Sequence, residues 1–137
     1  MLRISLLKLK SISLVAMALC AAEVGVCYGE DWQRISGDSE PNKIYYDADS
    51  FELNKEGVSI WIMVDFAASV MGVLSKKIHV QMNCENQTHI LFRQELFEGE
   101  FGSGQPYITD MKSAQVSEAA SNPAVSVVMN EVCQALP

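Results

Sequence analysis

The sequence predicts an α+β domain: an antiparallel sheet of about five to six strands, covered by one C-terminal α-helix and tied to it by a disulfide. Three observations predict it. Residues 76–84 alternate, with Ile78, Val80, Met82 and Cys84 on one side and Lys77, His79, Gln81 and Asn83 on the other. That is the period of a strand with one buried and one wet face. Residues 58–66 alternate in the same way, with Val58, Ile60, Ile62, Val64 and Phe66 on the apolar side. Near the C-terminus the spacing changes: Val125, Val128, Met129, Val132, Cys133 and Leu136 recur at helical intervals. Cys133 lies on that stripe and Cys84 on the apolar strand face, so a bond between them lays the helix on that face.

Residues 1–29 read as a signal peptide. Arg3, Lys8 and Lys10 precede an uncharged, mostly apolar run over residues 12–22 that is too short to be a membrane anchor. Cleavage falls between residues 22 and 29, which leaves residues 30–137 as a single domain. Cys20 follows Leu19 and Cys27 follows Val26, poor contexts for lipoprotein processing, so the chain reads as soluble or at most lipid-anchored. The expected location is the periplasm or cell surface of a Gram-negative bacterium.

Residues 30–137 hold 16 acidic and 7 basic residues, a net charge of −9 with both histidines neutral. Such a chain repels phosphate backbones, which argues against nucleic acid and leaves a basic protein partner open. Cys84 and Cys133 survive any cleavage in this range, and an exported small domain sits where disulfides persist.

The first short strand covers residues 31–36, and a dense turn cluster over residues 37–42 stops it. Residues 43–46 are β-prone and aromatic. Residues 47–50 turn the chain, with aspartates suited to bonding nearby backbone N–H groups. A second turn at residues 54–57 opens the long strand 58–66. Residues 67–74 read as an apolar connection to the strand that ends at Cys84. Residues 88–97 are its hairpin partner, although Ile90, Leu91 and Phe92 in a row break the alternation. Residues 98–105 form a Gly-rich acidic loop, and residues 111–120 show no decisive period. Asn122 and Pro123 suit a helix cap and first turn.

No residue pattern supports catalysis. His79 and His89 lack metal-ligand spacing and read as surface side chains. Asp47, Asp49, Glu52 and Glu56 do not fit a calcium loop, because Phe51 and Glu52 occupy positions that need an oxygen ligand and a glycine. Gly102 and Gly104 do not join a strand to a helix as a phosphate cradle would. No cofactor or metal is implied. Trp61 and Met63 share the wetter side of their strand, so either a second layer covers them or they form a contact surface. Val70 and Met71 extend that candidate surface.

These residues also carry a resemblance. Trp32, then Tyr45, Tyr46 and Asp47 followed by Ser50 and Phe51, then Trp61 in its apolar strand, stand in order along the chain. Ser75, Lys76 and Lys77 then lead to Cys84, and Val132 and Cys133 come almost at the end. In this order the sequence resembles the bacterial surface-adhesin protein E family over about residues 31–134. The resemblance implies a curved antiparallel sheet with a disulfide-tied helix. It also implies a role in adhesion to host matrix proteins, and a possible homodimer.

Two functions from different classes follow. The first is an exported, non-enzymatic, adhesin-like module that contacts protein partners through sheet and loop surface. The second is a periplasmic accessory protein or inhibitor of a basic enzyme.

Overall fold

The computed structural model describes residues 30–35, 41–112 and 115–136. The signal-peptide reading of residues 1–29 lies outside them, as do residues 37–40 of the first turn cluster. Eight strands form one open antiparallel sheet: β1 (Trp32–Arg34), β2 (Lys43–Asp47), β3 (Glu52–Asn54), β4 (Gly57–Val70), β5 (Val73–Asn83), β6 (Thr88–Phe97), β7 (Tyr107–Asp110) and β8 (Val116–Glu118). The order is β1-β2-β4-β5-β6-β7, with β3 on β4 and β8 on β6. One helix follows, α1 (Pro123–Gln134).

The sheet has more strands than the five to six expected, and the excess has a simple origin. The long central strands β4, β5 and β6 are flanked by neighbours that come in two pieces. Along β4, β2 pairs up to Ile62 and β3 takes over from Ser59. A 3-10 turn at Ala48–Ser50 interrupts them. Along β6, β7 covers Arg93 to Leu96 and β8 covers Thr88 to Ile90. Three-residue strands carry too little periodicity to be read from sequence, so residues 111–120 gave no signal.

Residues 67–74 are also not the connection expected. β4 runs on to Val70, β5 begins at Val73, and the turn is Met71–Gly72 alone, both residues at positive φ. Such two-residue turns match the twist of a hairpin. Between Asp65 and Val70 the register shifts, so β4 carries extra residues there. Ala67, Ala68 and Ser69 in that bulge hide the alternation.

The broken alternation of residues 90–92 is another bulge. His79 pairs with Arg93 while Val80 pairs with Leu91, which leaves Phe92 as the extra residue. The bulge returns both halves of β6 to the register that their faces require.

One face of the sheet packs beneath α1. Val58, Ile60, Ile62, Ile78, Val80 and Met82 meet Val125, Val128, Met129 and Val132 of the helix, all buried. Asn122 caps the helix, its side chain accepting from the Val125 N–H, and Pro123 opens the first turn. The disulfide expected between Cys84 and Cys133 is present, its Cα atoms 5.8 Å apart and 49 positions distant in sequence.

Candidate functional site

The face turned away from α1 carries the other half of the alternation. Register places Tyr45, Met63, Lys77 and Glu95 in one row across β2, β4, β5 and β6, and Trp61, His79 and Arg93 in the next. Part of this face is roofed. After β6 the chain folds back over it in a 3-10 turn at Glu100–Gly102. Ser75, fully buried, anchors that roof: its Oγ donates to the Gly99 carbonyl at 2.6 Å and accepts from the Gly102 N–H at 2.8 Å. The Phe101 N–H donates to Asp65 at 2.9 Å, and the Phe101 ring meets Tyr45 edge-on at 5.1 Å. Gly102 takes a φ of +68°, a left-handed conformation that favours glycine, and lies against the end of the Lys77 side chain.

Beside the roof the face is open, in a groove of about 650 Å³ between the Ala48–Ser50 turn and the middle of β4 and β5. Asp47 builds the near wall. Its carboxylate accepts from the backbone N–H of Asp31 at 2.8 Å and of Asp49 at 3.1 Å. Ser50 Oγ donates to the Asp47 carbonyl at 2.8 Å and accepts from the Trp61 N–H at 3.0 Å. That bond serves a backbone donor lying where β2 has ended and β3 takes over. The turn thus fixes Asp49, Phe51 and Glu52 beside Trp61, and all four line the groove.

The floor holds a cation. Lys77 Nζ lies 3.2 Å from the Glu30 carboxylate, 5.2 Å from the centre of the Trp32 ring and 5.6 Å from that of Phe97. Glu30 also accepts from the Trp32 indole N–H at 3.0 Å. That hydrogen bond is the largest influence and holds its carboxyl below the usual range; burial, next in size, works against it, and Lys77 adds to the lowering. On the far wall Trp61 stacks on His79 with ring centres 5.0 Å apart and planes within 10°. Ser59 Oγ lies 2.9 Å from His79 Nε2. Burial lowers the pKa of His79, with the charge of Glu52 opposing it.

The structure separates the residues that sequence grouped as one contact surface. Trp61 lines the groove. Met63 does not contribute: it is fully buried, because the Glu100–Gly102 turn covers it. Val70 and Met71 sit at the hairpin tip at the end of β4, 52% and 99% exposed. Of the family-pattern residues, Trp32 and Asp47 line the groove, Tyr45 supports the roof, and Tyr46 faces the α1 core.

The surface reading of the histidines fails for His89, which is 6% exposed, with Nδ1 lacking a partner among the described residues. It sits opposite Met82 and next to β8, whose cover the sequence did not reveal. Sequence reasoning missed Lys77 and Glu95 as site residues and saw in Asp49 and Glu52 only part of an acidic cluster that does not fit a calcium loop. The available signal was the alternation of residues 76–84, which puts Lys77 and His79 on the side of Trp61.

Among the described residues no group of three His, Cys, Asp or Glu side chains is placed to hold a metal ion. Nor is any helix there long and apolar enough to cross a membrane.

The fold has counterparts of known structure. Crystal form II of Haemophilus influenzae protein E superimposes with a TM-score of 0.57 at 13% sequence identity, covering 81% of this chain and 96% of that one. Another structure of Haemophilus influenzae protein E gives a TM-score of 0.55 at 14% identity, covering 80% and 87%. At such identities the likeness concerns the fold. No curated protein matches the sequence significantly. The profile of the family described as surface-adhesin protein E matches residues 32–134, three-quarters of the chain. The chain belongs to the surface-adhesin protein E family.

Proposed function

We propose that this protein is an exported, non-enzymatic, adhesin-like binding module that contacts protein partners through the sheet face turned away from α1 and its bordering loops. One observation carries the reading: a sheet whose first face is sealed by a helix keeps an open groove on the second, with Trp32, Trp61 and Phe51 along it. Aromatic side chains left accessible beside charged ones are the usual composition of a protein contact surface. Family membership supports export to the cell surface, and the n-region and apolar run of residues 1–29 agree with it.

The test joins location to binding. Antibody should label the protein on intact cells, and the exported chain should bind purified host matrix proteins. Trp61→Ala should weaken that binding roughly tenfold, the scale of a contact-surface aromatic, while the thermal midpoint stays close to that of the parent. Absence of both labelling and binding would reject the proposal. Global unfolding of Trp61→Ala would make that residue part of the core.

A second reading has its own support. The carboxylates around the groove suit a basic partner, as expected of a periplasmic accessory protein or inhibitor of a basic enzyme. Label confined to permeabilised cells, with salt-sensitive capture of a purified basic protein, would favour it.

A further inference from the structure

The charges of the groove are unevenly matched. The ion pairs among the described residues are Lys77 with Glu30, and Arg93 with Glu95 and Asp110. Asp49 and Glu52, both exposed on the groove wall, have no cationic partner among those residues. They stand beside Trp61 and the 40%-exposed Phe51, so negative charge and aromatic surface face the same space. The floor shows what such a lining holds, because Lys77 already lies against Trp32 with Glu30 as its counter-ion. A metal ion is a poor guest, since among the described residues no three carboxylates or other ligands converge. A flat, weakly hydrated organic cation fits better. It stacks on an indole and donates hydrogen bonds to two carboxylates, which an ammonium does less well.

We propose that the groove receives the guanidinium of an arginine from a basic segment of the partner protein, with Trp61 contacting its flat surface and Asp49 and Glu52 matching its charge. This inference rests on the reading of the chain as a protein-binding module, and it names the chemistry of the contact. The segment enters from the solvent side of the Ala48–Ser50 turn. The arginine adds a second cation beside the one that Lys77 supplies.

The chain has two tryptophans, Trp32 and Trp61, and both line the groove, so intrinsic fluorescence reports on its occupant. The exported chain is titrated at low ionic strength with a short peptide of alternating arginine and glycine. The same peptide with citrulline, which keeps the shape and loses the charge, is the control. The arginine peptide should change the emission saturably and the citrulline peptide should not. The double variant Asp49→Asn/Glu52→Gln should raise Kd roughly five- to tenfold, the sum of two partly exposed ion pairs. Glu131→Gln, on the exposed side of α1, should leave Kd within about twofold.

Equal binding of the citrulline peptide would overturn the proposal. So would a double variant that binds like the parent, or a Glu131→Gln variant weakened as much as the double variant. Purified host matrix protein separates the two claims. If the parent and the double variant capture it equally, the arginine seat is wrong and the binding-module reading stands. If the parent captures none while the peptide binds as expected, the reading fails and the seat stands.

Discussion

His89 and His79 are two groups through which the fold responds to pH just below neutrality. Both are held below the ordinary histidine value of 6.5, in each case first by burial, and for His79 the charge of Glu52 works the other way. In the unfolded chain each ring takes its proton near the ordinary value, whereas in the folded protein it does so only at lower pH. The unfolded state therefore binds more protons in that interval. The stability these rings contribute is complete above 6.5 and is lost as pH falls below it. A thermal midpoint measured between about pH 7 and about pH 5, before most carboxylates protonate, should decline. His89→Leu should flatten that decline, because it removes the buried one of the two titrating rings. An unchanged slope in His89→Leu would place its origin elsewhere. Neither environment was visible in the sequence. Alternation assigned His79 to its correct side but could not show Trp61 lying flat against it.

Among the elements, the roof over Met63 depends on one hydroxyl. Ser75→Ala would leave the Gly99 carbonyl and the Gly102 N–H without their buried partner, at a cost of about 1–3 kcal/mol. Chemical denaturation should register that loss, and faster amide exchange over residues 99–103 should localise it. Exchange rates there matching the parent would show the roof to be held by Phe101 and Tyr45 instead. Sequence gave this segment as a loop, correctly, but its closure depends on Ser75, which lies 24 positions before Gly99. The two bulges explain the other misreadings. A bulge adds a residue to one strand only, so it erases alternation where pairing continues. Phe92 hid the order of β6, and residues 66–69 made the end of β4 look like a connection.

For the whole molecule, one covalent tie joins the terminal helix to the end of a central strand. Closing a loop of 49 positions contributes on the order of 4 kcal/mol in the chain-entropy account, a large share of the roughly 5–15 kcal/mol typical of a domain. Cys84→Ala/Cys133→Ala should lower unfolding free energy by about that amount, measured with denaturant against the parent under non-reducing conditions. A loss below about 1 kcal/mol would mean that packing of α1 alone holds the tail. This level was the most legible in the sequence. Two periods, one of strands and one of a helix, each carried a cysteine on the buried side, and a single geometry satisfied both. The groove was less legible because it arises between elements. It needs the break between β2 and β3, a feature of backbone pairing that leaves no periodic trace.

The outermost strands β1, β3, β7 and β8 are three or four residues long. Neither rim of the sheet therefore offers a neighbouring molecule a long ladder of free amides and carbonyls. Copies crowded together at high density have little template for fusing rim to rim into fibrils. What such a molecule can grip is decided by side chains, whose chemistry can change one residue at a time while the backbone frame stays fixed.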